Sequence, residues 1–450
     1  MAERKKTTTE LKRRKKQKTN NVIPYLSEDI ITNILSRTPA KFVQDDARFV
    51  CKIWFDIPRQ PEFIGMHLSR STTGLYVQNT VNPKDVKYIE IKEMKKKVIH
   101  SFPPIPGEIL DSYEGILLVH DQKEKEILYV VNPITKQNVK LPPAPGAMNC
   151  DQGMIGRMNT GELRIVCHDK KVLGWFVVTV GDKLDMSWEY VPYYIQTLQE
   201  IIVQNYWLAA SIFVDGNVIY WTLYGLLSEF DEYGHVILIL DLSNRLPGVL
   251  ALPLPEQLAR VAKYNVLFAK MGNDVCYTTW KNPNREFGEL IVRKVEYLGF
   301  GKRPRMTTII HIQVPEGNPI RDNYSEPITF LCDDHQQILI FRVSRNRRLF
   351  MAFDLKTEKS SIIRGVYPKC HAIGKHINSI VGWNSSSNNN NNNINRMRKM
   401  ILMDTNYKES KRISVWSPIR RSRFPSPPPP PNPRRASRQE SQAPPPDSRV

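Results

Sequence analysis

Nine histidines and six cysteines are the side chains with which this 450-residue chain could hold a metal or present a nucleophile. Their spacing argues against either. No H-E-x-x-H, H-x-x-x-H or C-x-x-C pattern occurs, and the cysteines at 51, 150, 167, 276, 332 and 370 are dispersed, so no set has the spacing of zinc ligands. There is no G-x-x-x-x-G-K-[ST], no G-x-S-x-G and no G-x-G-x-x-G ahead of a helix. Asp333-Asp334-His335 has chemical residues, but it lies between two strand-like runs, where Asp and His are ordinary turn residues. Trp175, Trp188, Trp207, Trp221, Trp280 and Trp383 fit a β core better than a ligand platform. The expectation is a chain with no catalytic residues, metal or cofactor, whose chemistry is the burial of apolar side chains on partners.

The stretch that best fits such a role is Tyr25–Trp54. Leu26, Ile30, Ile31, Ile34 and Leu35 recur at helical spacing. Ser27 is suited to N-cap the helix, and Glu28 and Asp29 complement the positive end of its dipole. Thr38-Pro39 should end it, because proline disfavours helical geometry in the residue before it and lacks an N–H. Phe42, Val43, Phe49, Val50, Ile53 and Trp54 form a second apolar set before Pro58 and Pro61. Three short helices in about forty-five residues bury too little surface to stand alone, which implies a partner.

This stretch resembles an F-box. The residues that carry the resemblance are Leu26, Glu28, Asp29, Ile30, Ile34, Leu35, Arg37, Pro39 and Lys41, then Phe49, Val50, Cys51, Lys52 and Trp54, with Phe63 and His67-Leu68 closing the unit. The resemblance implies docking on a Skp-type adaptor, and through it on the cullin and RING subunits of a ubiquitin ligase. On that basis Leu26, Ile30, Ile34, Leu35, Pro39, Val50, Cys51 and Trp54 are the expected adaptor contacts, and Leu35→Asp should abolish adaptor capture while leaving the rest folded. The pattern departs from the family at Ser27, where proline is usual, and by one extra residue between Lys41 and Arg48, with Asp45 and Asp46 in that interval. One inserted residue turns a continuous helical face by about 100°.

The net charge of +19 raises the question of nucleic acid, so its location matters. Residues 1–20 carry nine Lys/Arg against two acids, and residues 394–450 thirteen against four, which leaves +3 for the body (19 − 7 − 9). Such a body is not the footprint of a domain that tracks a phosphate backbone, and nucleic acid is not an expected partner. The basic arm 1–22 should be disordered, with Lys12, Arg13, Arg14, Lys15 and Lys16 as a nuclear-import candidate. Placement in the nucleus and/or cytoplasm is expected. No apolar run approaches twenty residues, so no membrane partner is expected either.

Beyond the helical unit, assigned to 23–70, the period changes. From 74 to 383 short runs rich in β-branched and aromatic residues flank turn sequences such as Asp215-Gly216-Asn217 and Gly272-Asn273-Asp274. Roughly two dozen candidate strands over this length favour a β-propeller of about six or seven blades of ~45 residues, with a β-sandwich-like fold as the alternative. A weak repeat supports blades: Asn132, Asp241 and Asp354 each end a strand before a polar turn, 109 and 113 residues apart. The region resembles the F-box-associated interaction domain of plant F-box proteins, related to kelch propellers. The resemblance rests on Gly115–Leu118, Val131–Thr135, Val178–Trp188, Phe213–Trp221 and Ile239–Leu242.

An Asn/Ser-rich linker covers 384–397, and 398–417 offers two possible closing strands. The tail 418–450 is rich in Pro, Arg and Ser, with Pro427–Pro431 as a polyproline segment and Ser437, after Arg434-Arg435-Ala436, as a phosphorylation candidate. The fold class expected is therefore α + all-β: a three-helix F-box, then a large β domain, between disordered tails. The function expected is that of a non-catalytic substrate receptor of an SCF-type ubiquitin ligase, its target protein unknown. A nuclear nucleic-acid binder and a propeller-type hydrolase are the competing readings.

Overall fold

A computed structural model describes residues 26–382, apart from 80, 93–94, 125, 147, 170–173, 182–185, 193–201, 228–231, 244–248, 253–263, 272–273, 282–287, 299–304, 315–324, 333–336, 344–348 and 365–369. The import candidate Lys12–Lys16, the closing strands expected within 398–417, Trp383, Asp333–His335 and Ser437 lie outside the described residues.

The β region is a six-bladed propeller. Its twenty-four described strands pair antiparallel in six sheets of four, and the sandwich alternative is set aside. Blade 1 contains β1 (Thr73–Asn79), β2 (Val86–Lys92) and β3 (Lys95–Ser101). Blade 2 contains β4 (Gly107–Tyr113), β5 (Ile116–Asp121), β6 (Leu128–Asn132) and β7 (Gln137–Lys140). Blade 3 runs β8 (Met148–Arg157), β9 (Leu163–Asp169), β10 (Gly174–Val180) and β11 (Glu189–Pro192). Blade 4 runs β12 (Ile202–Val214), β13 (Val218–Leu227), β14 (Glu232–Asp241) and β15 (Val249–Leu252). Blade 5 runs β16 (Tyr264–Met271), β17 (Asp274–Lys281), β18 (Gly288–Glu296) and β19 (Arg305–Val314). Blade 6 runs β20 (Ser325–Cys332), β21 (Gln337–Val343), β22 (Leu349–Asp354) and β23 (Ser360–Arg364). The last described strand, β24 (Cys370–Ile377), pairs with β1 and supplies the inner strand of blade 1, so the first and last described strands close the ring. Among the described residues closure is made by β24.

Local chemistry explains the hairpins. Asp215 and Gly216 both have positive φ (50° and 65°), as do Glu114 and Gly115 (48° and 89°), the geometry of the tight turns whose twist matches antiparallel strands. A side chain at Gly115 would collide with the Ile377 carbonyl and Ser379, so this turn also needs glycine for space. The Asn132–Asp241–Asp354 repeat is structural. Each residue ends the third strand of a blade and accepts a backbone N–H two residues on: Ile134 N at 2.8 Å, Ser243 N at 2.9 Å and Lys356 N at 2.9 Å. The two intervals are two blades each.

The core is a series of clusters that bridge neighbouring blades. Trp175 of blade 3 meets Trp221 of blade 4 edge-on at 5.6 Å, and Trp280 of blade 5 meets Phe341 of blade 6 in the same way at 5.6 Å. All three tryptophans are fully buried, as expected of blade core, and Trp188 donates its indole N–H to the Pro142 carbonyl at 3.0 Å.

One buried carboxyl bridges blades 2 and 3. Asp111 accepts Ser112 N (2.8 Å) on one oxygen and Ile155 N of blade 3 (2.9 Å) on the other. Burial pushes its pKa up to about 8 against the opposing effect of those two bonds.

Candidate docking surface

The N-terminal unit holds four α-helices and two 3₁₀ turns where three helices were expected: α1 (Glu28–Leu35), α2 (Ala40–Asp45), a turn at Ala47–Phe49, α3 (Lys52–Asp56), a turn at Ile57–Arg59, and α4 (Pro61–Arg70). Ser27 occupies the N-cap position, but its side chain makes no capping bond; its carbonyl accepts Ile31 N at 3.1 Å. α1 ends three residues ahead of Thr38. Ser36 Oγ and Thr38 Oγ1 donate to the Asn33 and Leu35 carbonyls at 3.0 and 2.7 Å, taking up acceptors left over at the helix end.

The apolar residues of α1 fall into two stripes. Ile31 and Leu35 face inward, joining Ala40, Val43, Ala47, Ile57 and Phe63, whereas Leu26, Ile30 (49% exposed) and Ile34 (42%) face outward. Phe42, Phe49 (68%), Val50 (63%) and Phe55 are also exposed, and α3 has no buried residue at all. Seven of the twelve large apolar side chains exposed among the described residues therefore lie within Leu26–Phe55. Arg48 stands 4.7 Å over the Phe49 ring and Arg59 3.4 Å over Phe55, partial cover that leaves both rings in solvent.

Of the expected contact residues, Leu26, Ile30, Ile34, Pro39, Val50 and Cys51 are at the surface, and Trp54 is half-buried against the unit's core. Leu35 is a correction. It is fully buried, so it holds the unit together and is not open to a partner; Leu35→Asp would test stability before docking. Spacing alone missed Phe55, which lies outside the period of the second apolar set. Phe42 and Phe49 were in that set but were not among the expected contacts.

The extra residue before Arg48 costs the unit no register. α2 stops at Asp45 and the 3₁₀ turn restarts at Ala47, so Val43 and Ala47 both remain buried and the 100° slip never accumulates. Asp45 pairs with Lys136, on the turn between β6 and β7, at 3.2 Å.

That pair is one part of a clamp. Ile134 from the same turn and Ile380, after β24, complete the helical unit's core, and Leu68 of α4 enters the cluster between blades 2 and 3. Asn132 donates to the carbonyls of Ser379 (3.2 Å) and Val381 (2.7 Å) while accepting from Ile134 N. Arg157, paired with Glu114 at 2.8 Å, reaches the Gly382 carbonyl at 3.3 Å. Within the unit, His67 Nε2 lies 3.0 Å from the Thr38 carbonyl, and burial lowers its pKa, which keeps the ring neutral. The helical unit is thus seated on one end of the ring by residues 378–382 and the β6–β7 turn.

Among the described residues no group of three or more His, Cys, Asp or Glu side chains is placed to hold a metal ion, and no helix is long and apolar enough to cross a membrane.

No family model matches the chain. It is 28% identical over 137 residues to a protein of Arabidopsis thaliana named "Putative F-box protein At1g53370", a match covering 27% of this chain and 36% of that protein. The match thus spans about a third of the relative's length. Among solved structures, apo AztD from Citrobacter koseri aligns with 69% of this chain and 99% of its own at 9% identity and a TM-score of 0.34. AofleA from Arthrobotrys oligospora aligns with 67% of this chain and 91% of its own at 9% identity and a TM-score of 0.32. At those scores the propeller assignment rests on this chain's own strand order, and what the comparisons add is a partial, distant likeness to a plant protein named for an F-box.

Proposed function

We propose that this protein is the substrate-recognition subunit of an SCF-type ubiquitin ligase. In this reading the helical unit docks on a Skp-type adaptor and so on cullin and RING subunits, and the propeller holds a target protein. The observation that carries it is the concentration of exposed apolar side chains at Leu26, Ile30, Ile34, Phe42, Phe49, Val50 and Phe55 on a unit whose own core is already filled. Exposed apolar surface of this density marks a protein interface. The distant likeness to a protein named for an F-box supports the same assignment.

The chain would act by position and do no bond chemistry itself. Holding a target beside a charged conjugating enzyme raises the effective concentration of a target lysine against the thioester. The clamp onto blade 2 suits that role, because a receptor that swivelled freely would dilute the gain.

The test is capture of a purified Skp-type adaptor by the full chain. Ile34→Asp and Ile30→Asp should each weaken capture about thirtyfold, the effect of losing ~2 kcal/mol at an interface centre, with no change in melting temperature. Wild-type capture by both variants would overturn the docking assignment.

A further inference from the structure

A cleft of about 600 Å³ opens between the helical unit and blades 1 and 2, apart from the outward apolar face. Its walls come from both bodies: Arg37, Lys41 and Arg70 from the helices, His100 and Lys136 from the propeller. The size is that of a small-molecule site.

The charges in it do not balance. Of the two carboxylates lining it, Asp45 is engaged by Lys136, and Glu90 accepts from Thr72 Oγ1 at 2.8 Å. Arg37 and Arg70 have no carboxylate partner among the described residues. Instead both donate to one neutral acceptor, Asn33 Oδ1, at 3.1 and 3.2 Å, and Arg70 also donates to Ser36 Oγ. Two guanidinium groups drawn to a single amide oxygen repel one another, and the field of Arg37 adds to desolvation in lowering the Arg70 pKa. Lys41 makes no ion pair among the described residues. At the same cleft, Asn378 has a buried side-chain oxygen without a hydrogen-bond partner.

We propose that this cleft binds a compact oxyanion, a phosphate or carboxylate group on a small molecule, held by Arg37, Arg70 and Lys41. Planar guanidinium groups grip such oxygens two at a time, and an anion would relieve the repulsion between them. A hydroxyl on the same ligand would answer the free Asn378 oxygen. The chain's own ends are excluded as occupants, since residues 1–20 and 394–450 carry +7 and +9. Because the walls belong to two bodies, the ligand would brace the helical unit on the ring. This site does not depend on the docking reading.

The test is titration of the full chain with inorganic pyrophosphate, followed by thermal unfolding and calorimetry. Wild type should bind and melt several degrees higher, with affinity falling as salt rises. The Arg37→Ala/Arg70→Ala double variant should lose at least tenfold in affinity. Lys41→Ala, which removes no described hydrogen bond, should lose a smaller factor and guards against misfolding of the double variant. Failure to bind at millimolar pyrophosphate would overturn the proposal. So would binding that survives both variants, which would locate the anion on the basic ends instead.

Discussion

The helical unit and the propeller solve the same problem with different resources. From Leu26 to Phe55 seven large apolar side chains stand in solvent, whereas the whole described propeller exposes five: Val81, Tyr190, Leu298, Ile309 and Ile362. The ring can bury its apolar residues because each blade has two neighbours, and closure by β24 leaves no blade without one. A unit of some forty-five residues has no such geometry. It gives its inward stripe to itself and to Ile134 and Ile380, and it is left with an outward one. The difference teaches that the exposed face is a property of this unit and does not reflect loose packing in the molecule at large.

Mutations can sharpen that contrast. The largest effect is expected from Trp221→Ala, which empties a blade-to-blade contact and should cost about 3–5 kcal/mol in denaturant unfolding. Adaptor capture per folded molecule should be unchanged. Next is the neighbouring pair in α1. Leu35→Ala should cost about 2–5 kcal/mol and lower amide-exchange protection in α1–α4, whereas Ile34→Ala should stay within about 0.5 kcal/mol. Equal costs would mean that the inward and outward stripes are misassigned. Asn132→Ala removes the amide that ties the β6–β7 turn to residues 379–381. It should cost about 1–3 kcal/mol, with exchange rising first in the helical unit.

The smallest effect is a pH dependence. Burial lowers the pKa of His168 to about 4 and of His376 to about 3. Each folded value lies below the unfolded one, so each contribution is complete above pH 6.5 and is lost as the pH falls through the folded value. Asp111 runs the other way: its folded pKa of about 8 makes its contribution complete below about pH 4 and lost as the pH rises towards 8. Between pH 6.5 and 4 the histidines held neutral by burial, His67 among them, outnumber the one raised carboxyl, so stability should fall on acidification. Melting curves across that range check the sign, and His376→Asn should flatten the slope.

Much of the propeller was legible in the sequence because its signals are local. A turn needing positive φ selects Asp-Gly, and a third strand that ends on Asn or Asp writes its cap into the chain at two-blade intervals. The outward apolar face was legible only in part. Helical period groups Ile30, Ile31, Ile34 and Leu35 on one side, but it cannot divide neighbouring stripes between an internal core and a partner. That division depends on α2, the 3₁₀ turns and α4. The clamp was not legible at all, since Ile380 sits more than three hundred residues from the helices it touches.

That separation also orders events during synthesis. The ribosome delivers residues 26–70 first, whereas β24 and the strap at 378–382 emerge roughly three hundred residues later. Until then blade 1 lacks its inner strand and the helices lack Ile380. A chain cut short before 370 would carry its helical segment but neither a closed ring nor a finished seat for it. The same few residues thus act as a completeness check, tying the stability of the helical unit to the arrival of the last strand of the ring.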